Sequence, residues 1–120
     1  MSLFRRAFRQ ALFGRPGPRV VYHRTGEYDS ASEVIVEPDG SWRAESLSFV
    51  TNGFRTGRLS RRERRELARL VAALGPPGRF GFYARSTGIS DLTVGRHVYT
   101  WPLYPPTPEI EALVRFLGSR

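Results

Sequence analysis

Side chains able to do chemistry are sparse in this chain. It has two histidines, His23 and His97, 11 acidic residues and no cysteine. Without cysteine there is no thiolate nucleophile, no disulfide framework and no Cys-based zinc site. His23 sits in a strand-like stretch with no acid at ligand spacing. His97 alternates with Tyr99 and Trp101, which is the pattern of a packed or rim residue. Neither histidine belongs to an H-E-x-x-H motif, and the chain lacks G-x-S-x-G, G-x-G-x-x-G and G-x-x-x-x-G-K-[ST]. Glu27 and Asp29 lie two residues apart in a polar, turn-like stretch, 25–32. Such a pair could hold a cation or exchange protons. Loop solubility and Asx-turn hydrogen bonds account for it more simply. No enzymatic activity, metal or cofactor is expected.

Arginine offers a second chemistry, the binding of anions. The net charge is +8, and all 19 basic residues are Arg. A chain without Lys that is rich in Gly, Pro and Ala has the composition of a GC-rich genome, which takes weight from the charge as a sign of nucleic acid. The charge is also uneven. Residues 1–19 hold five Arg and no acid, whereas residues 20–120 hold 14 Arg against 11 acids, a surplus of three. Two groups stand out. Arg5, Arg6 and Arg9 share one face of a projected helix over 3–13, opposite Phe4, Phe8, Ala11 and Leu12. Arg61, Arg62, Arg65 and Arg69 share the face of a later helix opposite Leu67, Leu70 and Leu74. Either group could meet phosphate, and the first could lie on an anionic membrane. The plainer alternatives are a terminus docked on its own domain or disordered, and a solvated helix face relieved by the pair Arg62–Glu66.

Aromatic residues are dense, and most fall at inward strand positions. Trp101-Pro102-Leu103-Tyr104-Pro105-Pro106 reads instead as a rigid loop. Trp101 and Tyr104 on such a loop would make interface anchors, or would cap the core. Gly26, Glu27, Tyr28 and Asp29 form a second candidate loop.

These residues need a frame, and 120 residues suit one domain. A chain of this length buries roughly two-thirds of its unfolded surface, enough for a core without staples. Gly14-Arg15-Pro16-Gly17-Pro18 separates a basic arm and linker, 1–19, from a domain over 20–120. Strands are expected at Val20–Arg24, Glu33–Glu37 and Ser41 to about Ser48, with a further short one around Phe54. Pro38-Asp39-Gly40 suits a type I turn closed by a left-handed glycine, pairing Val36 with Trp42 and Val34 with Ala44. Ser60 and Glu63 form a capping box opening a helix over Arg61–Leu74, ended by Gly75-Pro76-Pro77. A strand follows at Phe80–Arg85. Asp91–Val94 and His97–Trp101 make a hairpin around Gly95-Arg96, a type II′ signal. A last helix opens with Thr107 and Pro108 and buries Ile110, Leu113, Val114 and Leu117. The fold class is α+β, in the order β-β-β-(β)-α-β-β-α: an antiparallel sheet of about five to six strands with both helices on one face. Tyr22, Arg43, Tyr83 and Arg85 are expected on the other face.

Several of these features together resemble a family. They are Val20-Val-Tyr-His-Arg-Thr-Gly26, a hairpin with Asp39-Gly40, Gly57-Arg-Leu-Ser60 opening an amphipathic helix, a hairpin with Gly95-Arg96, and a terminal helix opening with Pro and acids. In this order, over about residues 20–117, the chain is similar to emfourin-type proteins, small bacterial inhibitors of protealysin-like M4 metalloproteases. In place of the family's glycine-rich stretch after the first strand it carries Gly26-Glu-Tyr-Asp-Ser-Ala31. The resemblance implies a non-enzymatic inhibitor.

Three functions follow as expectations. The first is a protein-binding module, a metalloprotease inhibitor in its sharpest form, presenting Gly26–Ala31 or Trp101–Pro106 to a partner. The second is nucleic-acid binding through the arm and the Arg-rich helix face. The third is tethering to a membrane or partner by the arm. No run reaches the ~18 apolar residues that a membrane span needs. Arg5, Arg6 and Arg9 interrupt what would be a signal's apolar stretch, so a cytoplasmic location is expected.

Overall fold

A computed structural model of the chain describes residues 17–26, 30–47, 52–81 and 88–120. Strand β1, Val20–Thr25, is followed by β2, Ala31–Val36, and β3, Ser41–Leu47. The turn between β2 and β3 is built as its residues dictate. Gly40 takes φ +91°, which a glycine enters without steric cost. Asp39 Oδ1 accepts from the Ser41 hydroxyl at 2.6 Å and the Ser41 amide at 2.9 Å. Those two bonds, in that order, hold the Asp39 carboxyl below its usual range. The expected pairs Val36–Trp42 and Val34–Ala44 are in register.

Strand β4, Asn52–Arg58, pairs with β3, and helix α1, Arg61–Ala72, starts at the expected capping box. The Glu63 amide donates to Ser60 Oγ at 3.1 Å, and the Ser60 amide donates to Glu63 Oε1 at 2.9 Å. Helix α1 stops at Ala72, two residues short of the expected Leu74. Strand β5 is only Gly78–Arg79. The second hairpin joins β6, Ile89–Val94, to β7, His97–Pro102, with Val94 opposite His97 and φ +60° at Gly95. Helix α2, Pro108–Gly118, has Thr107 as its N-cap.

Among the described residues, one sheet contains all seven strands, in the order β4-β3-β2-β1-β6-β7-β5. The α+β class stands, but the expected five to six antiparallel strands do not. The sheet is mixed, because β5 runs parallel to β7 through Gly78–Tyr99 and Arg79–Thr100. A two-residue strand has no alternation to read, so Phe80 drew the expectation too far along the chain. Phe80 itself only extends the ladder, its amide donating to Thr100 O at 2.8 Å. Residues 82–85 of that expected strand, Tyr83 and Arg85 included, lie outside the described residues.

The core lies between one sheet face and the two helices, which pack on each other. The sheet supplies Val20, Val34, Val36, Ala44, Leu92, Val94, Tyr99 and Trp101; α1 supplies Leu67 and Leu70; α2 supplies Ile110, Leu113 and Leu117. Val114 is half-buried. Tyr22 must be moved from the outer face, where it was expected, to this inner one. It lies two residues from Val20 in an alternating strand and is paired with Val34 and Leu92. Its ring stacks on Trp101, with centroids 6.2 Å apart and planes 11° from parallel. Arg43 is on the outer face as expected.

Residues 17–19, assigned above to the linker, are fastened to the sheet. The Gly17 amide donates to Pro38 O at 3.1 Å, Arg19 O accepts from the Gly95 amide at 3.0 Å, and Arg19 pairs with Glu37 at 3.2 Å. The expected arm helix over 3–13 lies outside the described residues.

Candidate functional site

The two loops read as alternatives in the sequence emerge at the same end of the sheet. Strand β1 runs toward Gly26, and β7 runs antiparallel to β6 toward Leu103, so both chains leave on one side. Short bonds join them. Thr25 Oγ1 donates to Ile89 O at 3.2 Å. The Leu103 amide donates to Gly88 O at 3.1 Å, and the Gly26 amide closes its own loop on Ser30 O at 2.8 Å. Gly88 comes so close to β1 that an added Cβ would lie 2.7 Å from Thr25 O. Only a residue without a side chain fits there.

Leu103 holds φ +60°, the one positive φ among described non-glycine residues. A left-handed L-residue costs roughly 1–2 kcal/mol. Pro102 before it and Pro105-Pro106 after Tyr104 restrict the neighbouring backbone. The effect is to hold two large side chains in solvent: Leu103 is 60% exposed and Tyr104 81%. Leu47, at the same end of β3, is exposed as well.

The other expected site residues divide. Gly26 is exposed at the loop end. Glu27, Tyr28 and Asp29 lie outside the described residues, as do Arg5, Arg6 and Arg9. Trp101 is corrected from interface anchor to core residue. It is 1% exposed, because it is the last inward position of β7 and stacks on Tyr22. Arg61, Arg62, Arg65 and Arg69 all lie on the exposed face of α1. The expected pair Arg62–Glu66 is not the one formed. Glu66 holds Arg69 through two bonds, 2.6 and 3.1 Å. A carboxylate on the N-terminal side of its cation is the better order on a helix. That bond keeps the Glu66 carboxyl low and raises Arg69.

Strand register gathers charged groups that sequence spacing kept apart. On the outer face one cross-strand row reads Phe54, Glu45, Glu33, His23, Asp91, Thr100. His23 therefore stands between two carboxylates, and Asp91 accepts from Thr100 Oγ1 at 2.7 Å. Among the described residues no group of three or more such side chains is placed to hold a metal ion. No sequence signal could have found this row, because it depends on β1 pairing with β6.

On the inner face, a groove of about 510 Å³ opens over β1–β4 beside α2. Tyr22, Val34 and Ala44 lie on its floor, Ser32, Ser46 and Gly53 continue it, and Val114 and Gly118 form the helix side. Arg24 and Arg55 point to it from the same sheet face, and neither meets a carboxylate among the described residues.

No family model and no curated protein matches this chain. Among the described residues, no helix is long and apolar enough to cross a membrane.

Proposed function

We propose that the protein is a small, non-enzymatic protein-binding module that presents the loop end of its sheet to a partner. The observation that carries this reading is the exposure of Leu103 and Tyr104 at a backbone position held against its own preference. Strain of this kind persists where the surroundings over-determine it, and it gathers at ligand clamps and switch regions. Tyr is also favoured as an interface anchor, since it offers a large contact area with few torsions to freeze. Gly26 stands beside this turn, next to Gly88, whose carbonyl accepts from the Leu103 amide. The resemblance to emfourin-type proteins supports a sharper form, in which the partner is a bacterial M4-type metalloprotease and this end of the sheet enters its cleft.

Titration of the protein into an M4-type zinc endopeptidase, with peptide hydrolysis as the readout, tests the sharper form. Hydrolysis should fall with added protein, and Tyr104→Ala should need at least tenfold more protein for the same effect. Unchanged hydrolysis at large excess removes the inhibitor form. Equal potency of Tyr104→Ala removes the loop end as the surface.

A further inference from the structure

The two edges of the sheet are built differently. At one edge β5 is two residues long and preceded by Pro76-Pro77, a blunted end that offers little to pair with. At the other edge β4 is seven residues long, Asn52–Arg58, contains no proline, and is paired on one side only among the described residues. A long open edge is a template for another strand.

The free backbone groups of β4 have a definite direction. The Leu59 amide donates to Gly40 O at 2.9 Å. Residues 57, 55 and 53 therefore turn their backbone groups toward β3, and alternation turns those of Phe54, Thr56 and Arg58 outward. An incoming strand would bond to these three. Its side chains would then fall alternately beside two different surfaces. On the outer face it would meet Phe54, which is 66% exposed. On the inner face it would meet Arg55 and the groove that Arg24 also lines.

We infer that β4 accepts an extended, acidic segment of a partner protein as an eighth strand, with apolar side chains alternating toward Phe54 and carboxylates toward Arg55. Charge selects this occupant over a second copy of the chain. Strand β4 holds Arg55 and Arg58 and no acid, so two β4 edges paired in any register bring together like charges with no carboxylate from either strand, and aligned about Arg55 they set guanidinium directly against guanidinium. A Glu or Asp in the same place finds an arginine that lacks a carboxylate partner among the described residues. This surface does not depend on the loop end, and Tyr104→Ala should leave it intact.

The test uses three capped, fluorescent octapeptides, (Val-Glu)4, (Val-Lys)4 and (Pro-Glu)4, read by anisotropy. Amide shifts of Phe54, Thr56 and Arg58 in an NMR titration locate the site. (Val-Glu)4 should bind and move those amides. (Val-Lys)4 should not bind, and (Pro-Glu)4 should bind at least tenfold more weakly, since proline cannot supply the ladder. Arg55→Glu should weaken (Val-Glu)4 at least tenfold. Thr56→Pro removes an outward N–H without touching the β3 ladder, and it should abolish binding. If that variant fails to fold, Arg55→Glu and the amide shifts still decide. Equal binding of (Val-Glu)4 and (Pro-Glu)4 would reduce the effect to net charge and overturn the strand. Absence of (Val-Glu)4 binding, together with dimerisation of Arg55→Val, would show that Arg55 only guards the edge, and would also overturn it.

Discussion

Glu33 faces Glu45 directly across the β2–β3 ladder, on the sheet face opposite the helices. His23 stands on the other side of Glu33. Like charges directly opposite on a sheet are destabilising, and an opposite-charge pair in the same place contributes roughly 0.2–1 kcal/mol. Glu45→Arg should therefore raise stability by about 0.5–1 kcal/mol, read as a higher urea midpoint at unchanged slope. Because Glu45 is exposed, the gain should shrink in 1 M salt, where the screening length is about 3 Å. An unchanged midpoint at low salt would mean that the two carboxylates already point apart.

Glu63 gives a pH dependence with a definite sign. Its carboxyl is held down at about 2, first by the Ser60 amide and then by the Arg120 guanidinium. A group with a depressed folded-state pKa contributes stability that is present above its ordinary value and lost as pH falls toward the folded value. The window therefore runs from about 4.5 down to about 2. Unfolding midpoints measured across it should fall for the native protein and fall less steeply for Glu63→Gln. Asp39 and Glu66 are also held low, so the difference between the two curves is the readout rather than either curve alone. Parallel curves would show that Glu63 is not a source of the slope.

The strained turn at Leu103 predicts a separation of stability from binding. Leu103→Gly relieves roughly 1–2 kcal/mol of left-handed strain and gives back about 0.5–1 kcal/mol through the freer unfolded chain. The variant should be as stable as the native protein or up to about 1.5 kcal/mol more so. On the proposed reading of the loop end as a partner surface, any inhibition of an M4-type endopeptidase should weaken in the same variant, because an exposed anchor is lost. A stability loss above about 1 kcal/mol would instead make the Leu103 side chain a structural support.

What the residues disclosed in advance was local, and what they withheld was set by distant pairing. Ser60 and Glu63 announce a helix start because both partners of the box lie within one turn. Asp39-Gly40 and Gly95-Arg96 announce hairpins because turn geometry is decided by adjacent torsions, and the Val36–Trp42 register follows from the first of them. Tyr22 was put on the wrong face, and Trp101 stayed open between a loop anchor and a cap on the core, because their stacking depends on β1 lying beside β6, whose residues are far along the chain. The same pairing creates the row around His23 and brings Gly26 to the side of Leu103. Strand β5 was invisible for a different reason, since two residues carry no period. The open edge at β4 could not be read at all, because an edge is a property of sheet order and not of any strand.

Gly57 offers the most direct check on how that edge strand is packed. The Trp42 indole crosses β4 there, so that a Cβ added at Gly57 would lie 2.4 Å from Cζ2 and 2.6 Å from Cε2. Backbone preference alone argues that alanine should help, since glycine inside a strand is worth roughly 0.5–1 kcal/mol less than Ala. The collision argues the opposite, because the flat ring is packed against the core and cannot yield by turning one flexible bond. Overpacking of this kind costs typically about 1–3 kcal/mol, so Gly57→Ala should destabilise despite the better propensity. Trp42→Leu removes the obstructing ring at its own cost. If the ring is the cause, adding Gly57→Ala to Trp42→Leu should cost little or nothing further, leaving a coupling above about 0.5 kcal/mol in the double-mutant cycle. Additive losses would place the cost in the β4 backbone instead of the indole.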